Sequence, residues 1–228
     1  MKKVVKYAMI SWITAVSLFS CQSEPSSDVN QDKIYVEYEL FYDKNQDKTY
    51  ASAIFKFSNA SGTQLKLDSP AEIKFNNEVI PYDQTFAYYR KEYAGLVTTG
   101  TFSYKDLNGN VYTNTATLAA EISNPDIDTI SRDDAFTYSW GGTSLGANET
   151  IGLVIGNTIN TGNFQVFLQN SVQSTSLVLP LSQLNQLPVG SAYTQLDRQI
   201  ETNATQATSV GGKVRGKYRG INKTLYID

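Results

Sequence analysis

The sequence predicts an all-β protein, built as two tandem β-sandwich domains of which the first is Ig-like with about seven strands. Three observations carry this prediction. Apolar and polar residues alternate with period two through most of the chain beyond residue 33, the pattern of strands with one buried face. The composition holds 15 Tyr and 10 Phe, residues that favour a pleated, half-buried surface. Turn-forming Gly, Asn, Asp and Pro punctuate the alternating runs.

The elements follow in order. "IYVEYELFY" places Ile34, Val36, Tyr38, Leu40 and Tyr42 on one face and Glu37 and Glu39 on the other. "DKNQDKT" reads as a hairpin connection to "YASAIFKFS", with Ala51, Ala53, Phe55 and Phe57 on one side. Next come "AEIKF", the short "NEVI" and "TFAYYRKEY". "GTFSYKD" and "NVYTNTATL" pair across "LNGN", where Asn108-Gly109 is a strong hairpin signal. The alternation then lapses in "EISNPDIDTISRDD", so residues 122–132 read as a linker between a domain at 33–121 and a second at 133–228. The second half runs through "AFTYSW", with Phe136, Tyr138 and Trp140 inward, then "TIGLVIGN", "NFQVFLQ" and "TSLVLP". Leu181, Leu184 and Leu187 recur every three residues and predict a helical turn. "SAYTQLDRQIE" is a strand, and "GGKVRGKYRG" with "KTLYI" reads as a terminal hairpin turning near Gly220.

Composition excludes several function classes. The chain carries 19 Lys and Arg against 22 Asp and Glu, a net charge of −3, and no His. Without His there is no Ser-His-Asp triad, no His general base and no His metal site. A mildly acidic chain is a poor nucleic-acid partner, and a single Cys forms no internal disulfide.

That cysteine closes the N-terminal segment "MKKVVKYAMISWITAVSLFSC". Lys2, Lys3 and Lys6 form a positive head, and an uncharged stretch from Tyr7 to Ser20 follows, the layout of a secretory signal. The stretch is shorter than the ~20 apolar residues of a spanning helix. Leu18, Phe19, Ser20 and Cys21 resemble the lipobox of bacterial lipoproteins. The resemblance implies cleavage of residues 1–20 as a signal peptide and acylation of Cys21. At about 0.8 kcal/mol per buried CH₂, several acyl chains anchor a protein stably in a membrane. Residues 21–32 ("CQSEPSSDVNQD") are polar and read as a flexible tether carrying the lipid. Gln22, not Asp, follows the Cys; by the resemblance this lacks the inner-membrane retention signal of enteric lipoproteins and implies the outer membrane, facing the periplasm or the exterior.

The layout of lipobox, polar tether, Tyr-rich Ig-like domain and second β-domain resembles the small two-domain β-sandwich lipoproteins of Bacteroidetes. The resemblance implies an envelope protein attached through Cys21, with a protein partner or a glycan as ligand.

Candidate sites are few. In "KVRGKYRG", strand alternation points Lys213, Arg215, Lys217 and Arg219 one way. Such a stripe suits an anionic ligand or an acidic partner; equally, charges of this kind protect an edge strand from aggregation. Tyr88, Tyr89 and Tyr93 offer aromatic surface for a sugar, or belong to the core. Asp43, Asn45 and Asp47 start like a calcium loop, but Lys48 and Ile54 stand where an EF-hand needs Gly and Glu. "DLNGN" (Asp106 to Asn110) fails the same test, and turn chemistry explains both. The close carboxylate pairs, Asp133-Asp134 and Glu37/Glu39, read as connection and solvated strand face. Asp128 to Ile130 matches the short Asp-Ser/Thr-apolar O-glycosylation pattern known in Bacteroidetes. The expectation is a non-catalytic envelope lipoprotein without cofactor or metal, serving interaction, adhesion or assembly, with glycan binding as the alternative.

Overall fold

The computed structural model describes residues 23–156 and 163–228. The lipobox and signal segment lie outside the described residues. The fold is an all-β sandwich with one α-helix, α1 (Leu181–Leu184), among the described residues. Strands of four residues or more are β1 (Ile34–Asp43), β2 (Lys48–Phe57), β3 (Glu72–Phe75), β4 (Tyr88–Ala94), β5 (Thr99–Lys105), β6 (Val111–Thr117), β7 (Phe136–Ser139), β8 (Glu149–Gly156), β9 (Phe164–Gln169), β10 (Ser176–Leu179), β11 (Gly190–Asn203), β12 (Gly212–Arg219) and β13 (Lys223–Ile227).

The alternation in the sequence is realised directly. Ile34, Val36, Tyr38, Leu40 and Tyr42 of β1 are all buried, and the Asn108-Gly109 turn joins β5 and β6, with Gly109 at φ +84°. Two hydrophobic cores result. The first is aromatic: Tyr38 stacks on Phe102 at 4.9 Å and Phe55 packs on Tyr104 at 4.7 Å between ring centroids. The second is mainly aliphatic, with Ile151, Leu153, Leu179, Leu196 and Ile227 around Trp140. Leu184 and Leu187 from the predicted helical turn enter it.

One twelve-stranded sheet runs beneath both cores, in the main order 24–25, 64–66, β2, β1, β12, β11, β8, β9. A four-stranded sheet (β6, β5, β3 and residues 78–79) covers the first core. The β7–β10 ladder and α1 contribute to the second. The halves of the chain are therefore stitched together by hydrogen bonds: β12 pairs in parallel with β1, Arg215 beside Glu39 and Arg219 beside Asp43.

Three expectations are corrected. "KVRGKYRG" is no edge strand; β12 is paired on both sides, with β1 and β11. β12 and β13 do not form a hairpin. Both pair antiparallel with the 14-residue β11, β12 along its C-terminal half and β13 along its N-terminal half, because Gly220 donates its N–H to Leu196 O and the chain continues along the same strand. Finally, the described part of the expected tether is docked. Residues 24–25 pair with 65–66. The buried Gln31 amide donates to Ser26 O (2.7 Å) and Val29 O (3.1 Å). Ser26 Oγ accepts from Asp68 N, and Ser27 N donates to Asp68 Oδ2, both at 2.9 Å. The segment has little apolar surface to bury, so composition reads as disorder; specific polar bonds, with Val29 packed against the first core, hold it.

The inner face of β12 explains its glycines. Gly212, Gly216 and Gly220 recur every four residues on the same side. The segment from Thr117 to Ile122, which links the halves, crosses directly over Gly216 and Gly220, while Gly212 faces Val36 and Ala204. A Cβ at Gly216 would lie 1.8 Å from Thr117 O, and one at Gly220 would lie 2.7 Å from Ile122 O. Backbone lies on backbone there, and only glycine leaves room.

Candidate functional site

The outer face of the shared sheet gathers the chemistry. On β12 the odd positions Lys213, Arg215, Lys217 and Arg219 are half-buried on this side. Parallel pairing sets the odd positions of β1 opposite them in register: Glu37, Glu39, Phe41 and Asp43. On the other flank, β11 places Glu201, Gln199 and Asp197 opposite Arg215, Lys217 and Arg219.

Each cation of the stripe thus has a carboxylate. Arg219 makes a two-pronged contact with Asp197 (2.7 and 2.9 Å), and Lys217 Nζ reaches the same carboxylate at 2.8 Å. Arg215 lies between Glu201 (2.6 Å) and Glu39 (3.4 Å), and Lys213 is 3.4 Å from Glu201. Lys56 pairs with Glu37 at 2.9 Å. Burial opposes ionisation of Asp197 and Glu201, but the facing Arg and Lys groups outweigh it and lower both carboxyl pKa values. The same balance raises the Arg215 and Arg219 pKa values. The stripe is a row of compensated ion pairs, unlike the bare cationic surface an anion would meet.

Aromatic rings sit within this lattice. Phe41 and Tyr50 stack at 5.8 Å. Arg90 lies over Tyr50 at 4.0 Å, and Lys217 and Arg219 lie over Phe41 at 4.9 and 5.0 Å. Planar rings flanked by cations gain attraction from the ring quadrupole. Beside them, Glu37, Glu39, Ser52, Ile54, Tyr88 and Arg215 line a shallow hollow of about 120 Å³.

The three tyrosines read as a sugar platform do not share a surface. Tyr88 borders the outer hollow. Tyr89, one residue on, is buried in the first core; its hydroxyl accepts from Leu67 N at 2.7 Å, and burial pushes its pKa up to about 12. Tyr93 packs on Phe75. Strand alternation separates Tyr88 from Tyr89. The Asp/Asn turns are internally bonded: Asp43 accepts from Asn45 N and Nδ2, and Asp106 from Asn110 N and Nδ2. Thr129 is exposed beside the buried Ile130, where residues 129–130 pair with β13.

The sequence reading missed one charged site. Arg198 lies on the inner face of β11, only 2% exposed. Its Nε donates to Glu149 Oε1 (3.1 Å), Nη1 to Thr143 O (2.9 Å) and Nη2 to Ser144 O (2.9 Å). The signal was present, since Arg198 falls in phase with the buried Leu196. This network anchors the 143–149 loop and presents no open group to a ligand.

No protein-family model matches the chain, and no curated protein matches it. Among solved structures, it aligns with a chain from a 1.5-MDa bacterial ice-binding adhesin studied for host cell surface retention. The identity is 12% and the TM-score 0.23; the alignment covers 87% of this chain and 66% of that one. A likeness of that degree carries no argument about fold or function.

Proposed function

We propose that this chain is a non-catalytic envelope lipoprotein, anchored through Cys21 in the outer membrane, whose outer sheet face binds a protein partner. The observation that carries the reading is the continuity of that face across both halves. Compensated ion pairs and ring–cation contacts run from β4 to β11 without a deep cleft at its centre. Paired charges with interleaved aromatics suit a protein surface of matching pattern, where electrostatic complementarity sets register and partner choice. The absence of His from the chain supports the non-catalytic part of the reading.

Site-specific photocrosslinking in cells tests it. A photoreactive residue at Ser52 on the outer face is expected to give one discrete protein adduct. The same residue at Thr115 of β6, on the opposite layer, is expected to give none. Equal labelling at both positions, or none at Ser52, contradicts the reading.

One observation favours glycan binding instead: the hollow beside Tyr88 combines a ring with polar side chains. A saccharide array hit with the wild type that vanishes with Tyr88→Ala would select that alternative.

A further inference from the structure

The docked N-terminal segment has a geometric consequence for the membrane. We propose that the corner of the molecule bearing Tyr82, Phe86 and Lys66 lies against the lipid surface, held there by the shortness of the link to Cys21. The inference rests on acylation of Cys21 as proposed above.

Only Gln22 separates Cys21 from Ser23. Two Cα steps span at most about 7 Å. Ser23 is already part of the fold: its Oγ is 2.6 Å from Tyr82 Oη, and Glu24 and Pro25 pair with Leu65 and Lys66. A flexible twelve-residue tether would instead span roughly 19 Å and permit any orientation. The polar and headgroup layer on one side of a bilayer is itself roughly 5–8 Å deep. An acyl-bearing backbone at that depth therefore brings the Tyr82 corner to headgroup level.

The corner carries side chains suited to that position. Phe86 sits in the loop between Tyr82–Asp83 and β4 and is 58% exposed. Lys66 Nζ lies 5.3 Å from the Tyr82 ring. Aromatic rings and long cationic side chains settle at the membrane–water interface. Glu24 and Asp83 temper the local charge, so the corner alone has little lipid affinity; the acyl chains supply attachment and the short link supplies orientation. At the opposite end of the strand order, seven interstrand steps from residues 24–25, stands β9 with Leu168 72% exposed. At about 4.8 Å per step, that is roughly 34 Å along the sheet.

The test uses the acylated full-length protein in vesicles whose lipids carry brominated acyl chains, which quench nearby Trp. Trp12 leaves with the signal segment, and the remaining native Trp140 is buried, giving a constant background. Phe86→Trp is expected to lose at least half of its added fluorescence, and Leu168→Trp to lose none. Inserting ten Gly/Ser residues between Gln22 and Ser23 should keep the protein on vesicles and abolish the Phe86→Trp quenching. Equal quenching at both positions, no quenching at Phe86→Trp, or quenching that survives the insertion would overturn the proposal. Membrane fractionation of wild type against Cys21→Ala reads the anchor separately: wild-type protein in the soluble fraction refutes acylation, whereas membrane-bound protein without Phe86→Trp quenching refutes the orientation alone.

Discussion

The two faces of the central sheet, compared at β11 and β12, solve opposite problems. The outer face carries long side chains of both signs in half-exposed pairs. The inner face carries buried apolar side chains such as Leu196, Val214 and Tyr218, no side chain at Gly212 and Gly216, and one fully enclosed charge, Arg198. Exposed ion pairs contribute up to about 1 kcal/mol each and tolerate change. Close backbone crossing and a buried pair have no solvent to substitute for what is removed. The difference separates residues that build the fold from those free to serve recognition.

Substitutions sharpen this contrast. Arg198→Ala leaves Glu149 buried without its partner and should cost about 3–5 kcal/mol, measured by urea denaturation. Gly216→Ala forces a Cβ against Thr117 O, which is backbone and has no rotamer to yield; a loss of about 3 kcal/mol is expected. Acid should act on both faces. Glu149, Asp197 and Glu201 have lowered pKa values in the fold. Their contribution is therefore complete above the ordinary values of 4.5 for Glu and 3.8 for Asp, and is lost as pH falls through the lower folded-state values. A denaturation midpoint that holds constant from pH 6 down to pH 2 would contradict this.

A change of opposite sign comes from Tyr38, whose buried hydroxyl has no hydrogen-bond partner among the described residues. Tyr38→Phe should raise stability by about 1 kcal/mol, since it removes an unsatisfied polar group and keeps the ring stack on Phe102. Smallest of all, Arg215→Gln on the outer face should cost less than about 1 kcal/mol. A loss approaching that of Arg198→Ala would erase the distinction between the faces.

Local pattern made much of this legible. Period-two alternation identified the inward face of β1 and, through Ala51, Ala53 and Phe55, that of β2, although Phe57 on the same side is exposed; Asn108-Gly109 identified a hairpin, and the leucine spacing identified α1. Pairing between distant segments was not legible. The β1–β12 ladder joins residues 176 positions apart at Glu39 and Arg215, and nothing in either stretch alone announces the other. The complementary pattern was visible only in pieces: Glu37, Glu39 and Asp43 in one segment, four cations in another, Asp197 and Glu201 in a third. Read singly, the cations resembled a binding stripe; read in register, they are compensated. The glycines at 216 and 220 carried a signal of close approach whose partner, Thr117 to Ile122, only the fold supplies. The docking of residues 24–33 was hidden because polar contacts and the lone apolar Val29, not a hydrophobic pattern, hold it.

The central claim is that β12 makes the two halves one platform. Hydrogen exchange of the protein in graded urea tests it most directly, following amides of β2 and β5 around the first core and of β8 and β13 around the second. The account predicts that both sets exchange through a single opening, with one midpoint, and that Gly216→Ala shifts the two together. Separate midpoints, with Gly216→Ala moving one set alone, would show two independent bodies and contradict it.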